Sequence, residues 1–251
     1  MYVAGQTAVG KVRKHNEDTI FHTTIQIGPL PNLFIVADGM GGHNGGEVAS
    51  AKSLEYFRDF ICHPQLNVAL TPQDTMQLLV SATGYANSKV LDHALTDQEL
   101  FGMGTTFSAC VVLEDMLVVA HIGDSRIYTI NSNGINQITA DHTYVAEMVQ
   151  AGQLTPAEAK THPDRSKLTR VLGLDAKIDV DGNLHDLNHI DAVLLCSDGL
   201  TDMLSDGEIM SITTQNAPPA SRVQALVDAA NQAGGIDNIS AIIIDVKGEA
   251  I

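Results

Sequence analysis

Short apolar runs separated by turn residues set the rhythm of this chain. Leu33 to Ala37, Thr106 to Leu113, Leu117 to Ile122, Arg126 to Ile130, Ala192 to Cys196 and Ile239 to Val246 are rich in Val, Ile and Leu. Their length and composition predict strands. The last run alternates at Ile242, Ile244 and Val246, although Ile243 blurs the period. Asn131-Ser132-Asn133-Gly134 predicts a hairpin turn. Helical spacing occurs in three blocks. From Glu47 it runs through Val48, Ala51, Leu54, Phe57 and Ile61. A second block opens with Thr71 as N-cap, Pro72 in the first turn and Asp74 behind it, and continues to Leu91. A third runs from about Ser221 through Val223, Leu226, Val227 and Ala230 and stops at Gly234-Gly235.

Residues 141–170 break that rhythm. Tyr144 to Gln150 predicts a short helix ended by Gly152, and Thr155-Pro156-Ala157-Glu158 is a capping box for another. The polar stretch His162 to Lys167 follows. A helical excursion between strands is the kind of insert that covers a site. No internal repeat, low-complexity tract or linker interrupts the chain, so one domain is expected over residues 1–251. Runs of strands with helix pairs, without strict βαβ alternation, predict an α+β layered fold.

Composition narrows the function classes. The chain is 44% hydrophobic and 18% charged, which excludes a disordered protein. Thirty acids against 14 bases give a net charge of -16. That sign argues against a nucleic-acid partner and an anionic membrane surface, and it favours a monomer. Cys62, Cys110 and Cys196 are odd in number and far apart, so a reducing compartment is expected rather than a disulfide framework. Met1 to Gly10 lacks a basic segment followed by an apolar one, so no signal peptide is expected. Glu114 and Asp115 cut the longest apolar stretch short of the roughly 18 residues a membrane helix needs. The expectation is a cytoplasmic protein.

The chemistry is carried by aspartates placed at predicted strand ends. Asp38, Asp124 and Asp198 each follow an apolar run, and Asp237 precedes the final one. Asp is a poor strand residue, and a buried carboxylate is costly unless paired or bound to metal. Each Asp-Gly alone reads as an ordinary turn; four in one context suggest convergence. Few cations lie in the relevant segments, and hard oxygen ligands without a His/Cys cluster select Mg2+ or Mn2+. The glycine-dense segment Asp38 to Glu47 permits close backbone approach to a ligand, or is a flexible surface loop. It matches neither a dinucleotide fingerprint nor a P-loop. Arg13, Asn16 and Asp18 form R-x-x-N-x-D, in which Arg13 offers a planar fork for phosphate; a solvated charge run is the plainer reading.

Eight segments in order complete the picture: Arg13 to Asp18, Val36 to His43, Gly102 to Thr106, Gly123 to Arg126, Asp141 to Thr143, Leu168 to Gly173, Ser197 to Leu200 and Gly235 to Asn238. This ordered set resembles the type 2C metal-dependent protein phosphatases (the PPM family) in their compact bacterial form. The resemblance implies a four-layer αββα sandwich, two packed antiparallel sheets flanked by helix pairs, with a flap at about residues 143–167. It implies that Asp38 bridges two Mg2+ or Mn2+ ions, that Gly39 supplies its carbonyl, and that Asp198 and Asp237 complete the ligands of the first ion. Asp124 with Asp198 would hold a third, weaker ion; Asp18 would act through water and Arg13 would clamp the phosphate.

The implied reaction is direct attack by a two-metal-activated water on the phosphomonoester of a phosphorylated protein, with no covalent phosphoenzyme. No Cys opens a C-x5-R loop, which agrees with that chemistry. One departure concerns the general acid. Met40 stands where animal members have His; His43 is available as acid or as a structural residue. Ser240 stands where many members have Thr, a change expected to be minor. His162 in the flap is a candidate substrate contact or an exposed residue with no role. The alternative, a catalytically silent phosphoprotein-binding module, would lack metal ligands, whereas all the expected acids are present.

Overall fold

The computed structural model describes residues 1–41, 45–63 and 70–246. Two antiparallel sheets lie face to face. The first has the order β1 (Tyr2–Ala8), β11 (Ile239–Asp245), β10 (Ala192–Cys196), β7 (Arg126–Asn131) and β8 (Gly134–Gln137). The second has the order β2 (Asp18–Thr23), β3 (Leu33–Met40), β5 (Phe107–Leu113), β6 (Met116–Ile122) and β9 (Asp181–Asp186), with β4 (Gly104–Thr105) added on β3. The expected four layers follow from which side chains the strands bury.

Period-2 alternation sends one set of side chains between the sheets and the other toward helices. Phe34, Val36, Cys110, Val119, Val193, Leu195, Ile242 and Ile244 fill the space between the sheets. The opposite face of the second sheet (Ile35, Ala37, Phe107, Ala109, Val118, Ala120) is covered by α1 (Gly45–Ile61) and α2 (Pro72–Ala94) through Phe57, Leu79 and Ala82. The outer face of the first sheet is covered by α5 (Asp198–Thr201), α6 (Asp206–Thr213) and α7 (Pro219–Ala233), whose Leu200, Ile209, Val223 and Leu226 meet Leu194, Ala241 and Ile243. The start signals behave as expected. Thr71 and Asp74 form a reciprocal capping box with Pro72 in the first turn. Ser205 and Glu208 form the same box for α6, a helix the sequence pattern did not single out.

The excursion at residues 141–170 holds α3 (Tyr144–Gln150) and α4 (Pro156–Thr161). Its base is stitched by Tyr144 N to Lys167 O at 2.8 Å and Thr169 N to His142 O at 2.8 Å. Among the described residues no helix is long and apolar enough to cross a membrane. Two boundaries differ from the sequence reading in a way that concerns the site. β3 continues through Asp38 and Gly39 to Met40 instead of stopping at Ala37, because β2 and β4 offer it ladder partners there. α1 starts at Gly45, two residues before Glu47.

Candidate metal centre

The site is built where both sheets end on the same side. Asp38 sits in β3 directly opposite Asp18 of β2 in the antiparallel register. Like charges in that position repel, so the pair needs support from elsewhere. Asp18 receives it across the sandwich. Its Oδ2 accepts from Ser197 Oγ at 2.8 Å and Ser240 Oγ at 2.6 Å, both at ends of first-sheet strands. Ser197 N donates to Ser240 O at 3.1 Å and Ser240 N to Ser197 Oγ at 3.0 Å, which closes a small network between the sheets. A Thr in place of Ser240 would supply the same hydroxyl.

The backbone around Asp38 is fixed by threonines. Thr106 N donates to Asp38 O at 2.8 Å, Asp38 N donates to Thr106 Oγ1 at 2.9 Å, and Thr105 Oγ1 donates to Asp38 O at 2.9 Å. Gly39 is held by its own N–H on Glu17 O at 3.1 Å. A Cβ on Gly39 would lie 2.0 Å from the Gly46 carbonyl oxygen, so only glycine lets the start of α1 close against β3.

Asp198 opens α5 directly after Ser197, and Asp202 follows one turn later. Asp124 lies in the bend between β6 and β7, where Gly123 turns with φ +108. His142 grips Gly123 twice: its N–H donates to Gly123 O at 2.8 Å, and its Nδ1 accepts from Gly123 N at 3.0 Å. With Nδ1 accepting, Nε2 carries the proton and donates to Asp181 Oδ2 at 3.2 Å. Arg126 lies beside Asp124 but is engaged with Asp141, through Nε at 3.0 Å and Nη2 at 2.7 Å. Asp237 precedes β11; its Oδ1 accepts from Asn238 N at 2.8 Å and its Oδ2 from Arg13 Nη2 at 2.7 Å. Arg13 also has Glu17 at 3.8 Å.

Proton affinities report the crowding. Desolvation, followed by the charges of Asp18, Asp198, Asp124 and Asp237, holds the Asp38 carboxyl well above its usual range. Desolvation, then Asp124, Asp237, Asp202 and Asp18, does the same for Asp198. Asp124 is pushed up to about 7 by desolvation and by Asp141, against the pull of Arg126. Asp18 is pushed up to about 6 by desolvation, against its serine hydroxyls. Desolvation also raises Glu17. Arg13 is raised, chiefly by its hydrogen bond to Asp237. The mutual repulsion ties Asp18, Asp38, Asp124, Asp198 and Asp237 into one electrostatic group.

A divalent ion fits this donor set. Asp18 Oδ1 and Asp198 Oδ1 are buried with no hydrogen-bond partner. An orphaned buried carboxylate oxygen asks for a cation. Among the described residues no group of three or more His, Cys, Asp or Glu side chains is placed to hold a metal ion by itself, so the case for a cation rests on the orphaned oxygens and the donor chemistry. An open set of carboxylates suits Mg2+ or Mn2+, which take a few carboxylates and keep several waters, better than an all-protein cage suits them.

The aspartates singled out in the sequence act on one another electrostatically, Gly39 lies on the same strand as Asp38, and Arg13 bonds Asp237. Arg13 is bonded to an acid instead of lying in a solvated charge run, because the turn at residues 235–237 carries Asp237 onto the N-terminal loop. His43 lies outside the described residues. His162 caps α4 and makes a tilted ring contact with Tyr144, the centroids 6.1 Å apart. Sequence reading missed Asp202 and the hydroxyls of Ser197 and Ser240. The D-x-x-x-D spacing of Asp198 and Asp202 on one helical turn was the signal for the first.

Comparison with known proteins agrees with the architecture. The family model described as Protein phosphatase 2C matches residues 10–233. Protein phosphatase PhpP of Streptococcus pneumoniae is 36% identical over 250 residues, covering 99% of each chain. A bacterial serine phosphatase crystal structure superposes with a TM-score of 0.91 at 33% identity, covering 100% of both chains. The catalytic domain of the serine threonine protein phosphatase PstP, solved in complex with 2 manganese ions, superposes with a TM-score of 0.82 at 30% identity, covering 97% of this chain and 96% of that one.

Proposed function

The chain belongs to the protein phosphatase 2C family, and from that membership we propose that it is a metal-dependent serine/threonine phosphoprotein phosphatase. The observation that carries this reading is the mutual electrostatic influence of five aspartates drawn from both sheets, with orphaned buried oxygens at Asp18 and Asp198. The names of the related bacterial proteins and the manganese in one of them support it.

In this reading Asp38, Asp198, Asp237 and the Gly39 carbonyl would hold two Mg2+ or Mn2+ ions, and Asp124 with Asp198 would hold a third more weakly. Bound ions would supply positive charge to the phosphoryl oxygens and make a water acidic enough to attack at neutral pH. The chain's own residues do the rest. Arg13, exposed beside Asp237, offers its planar fork to phosphate oxygens. Asp18, locked by Ser197 and Ser240, keeps Asp38 in register and anionic surroundings around it. His43 protonates the departing serine or threonine oxygen. One O–P bond forms from water and the ester O–P bond breaks, leaving the free hydroxyl side chain and inorganic phosphate. No enzyme nucleophile is needed. The core thiols suit that: Cys110 and Cys196 are buried, and burial pushes the Cys196 thiol up to about 12.

The substrates are phosphorylated proteins. The reading is of one domain with a flap at residues 143–167, monomeric and cytoplasmic; unpaired cysteines and strong negative charge support the last two points. The test is phosphate release from a phosphoserine peptide by protein stripped with EDTA. Activity is expected to vanish on stripping, return with Mn2+, and be absent on a phosphodiester such as bis(p-nitrophenyl) phosphate. Full turnover without ions would refute the reading.

A further inference from the structure

The loop that carries Arg13 holds more positive charge than the mechanism uses. Lys11, Arg13 and Lys14 fall within four positions of a chain that has 14 bases and a net charge of -16. Every residue from Lys11 to His15 is exposed. The charge of Arg13 is engaged by Asp237 and Glu17. Among the described residues Lys11 and Lys14 form no ion pair, so their charges face solvent.

The loop is fixed against the site. Lys11 N donates to Gly235 O at 2.7 Å and Val12 N to the same oxygen at 3.3 Å. Asn238 Nδ2 donates to Val9 O at 2.9 Å and His15 O at 2.9 Å, one clamp at each end of the loop. Gly10 turns with φ +82, and a Cβ there would sit 2.1 Å from the Asp237 carbonyl oxygen, so the loop is pressed onto the residue that bonds Arg13. Two free ammonium groups thus flank Arg13 on a pinned backbone, one on each side in sequence.

An extended peptide advances about 3.4 Å per residue. Residues two or three places from the phosphorylated one therefore pass within about a Debye length of these lysines. Resting on the phosphatase reading, we propose that Lys11 and Lys14 form a docking rim that selects phosphoproteins carrying Asp or Glu beside the phosphorylated serine or threonine. The rim offsets locally the repulsion that the acidic surface imposes on such partners.

The experiment measures kcat/KM of the Mn2+-loaded full chain on matched phosphoserine peptides whose flanks are Glu, Gln or Lys. Glu flanks are expected to exceed Gln flanks by roughly three- to tenfold at low salt, the size of two exposed ion pairs. The ratio should fall toward unity in the Lys11→Gln, Lys14→Gln double variant and at high salt, and should return with Lys11→Arg, Lys14→Arg. Equal rates on all flanks in the parent chain would overturn the proposal. So would a preference that survives in the double glutamine variant, or a loss equal for every peptide and for p-nitrophenyl phosphate. If no peptide is hydrolysed, the catalytic reading fails instead. Fluorescence anisotropy with the same labelled peptides then decides the docking claim: tighter binding of Glu flanks, lost in the double variant, upholds it, and equal binding overturns it.

Discussion

Asp18 and Asp38 face each other across a strand ladder, with Asp198, Asp124 and Asp237 adding their charge. Such a cluster costs stability in the free chain and is retained for what it binds. His43, which the sequence leaves open as general acid or structural residue and which we propose as the acid, can be tested apart from it. A serine leaving group needs a proton; p-nitrophenolate does not. His43→Gln is expected to lower kcat on a phosphoserine peptide about 10²- to 10⁴-fold while changing p-nitrophenyl phosphate turnover far less. Equal effects on both substrates would remove the role. At this scale the acids were legible because Asp at the end of an apolar run is unusual. Their partners were not. Nothing in the spacing of Ser197 and Ser240 says that both hydroxyls converge on Asp18, because that contact crosses from one sheet to the other.

Each element contributes through the face it buries. Leu195 of β10 is fully buried between the sheets, among Val36, Val119 and Ile242. Leu195→Ala is expected to cost about 2–5 kcal/mol, read by urea denaturation, because the two packed sheets cannot collapse onto the cavity. A loss below about 1 kcal/mol would show that the inter-sheet layer is loosely packed. Strands with a continuous apolar run, such as β5, β6, β10 and β11, were visible in the sequence for the same reason. β1, β2 and β9 were not, because edge or half-covered strands carry mixed side chains: β9 is Asp-Gly-Asn-Leu-His-Asp, held by its ladder with β6. α6 was missed although its Ser205 and Glu208 form the same capping box that marks α2 and α4.

The whole molecule joins these effects through pH and metal. For Asp38, Asp124 and Asp198 the folded carboxyl holds its proton to higher pH than the unfolded one. In the window between, the folded state binds more protons, so stability falls as pH rises. Below about 6.5 the neutral buried imidazole of His121, lowered to about 4 by desolvation, pulls the other way. The clean window is therefore pH 6.5 to 8, around the Asp124 value of about 7. Metal-free protein is expected to lose thermal stability across it, and saturating Mn2+ should flatten the slope. A melting temperature that rises with pH in that range without metal would contradict the crowding of the carboxylates. The most direct measurement is calorimetric titration of metal-free protein with Mn2+, run beside Asp38→Asn. The account predicts at least two ions per wild-type chain and loss of the tight sites in the variant, which should melt no lower than the metal-free parent. Undiminished Mn2+ binding by a folded Asp38→Asn protein would contradict it.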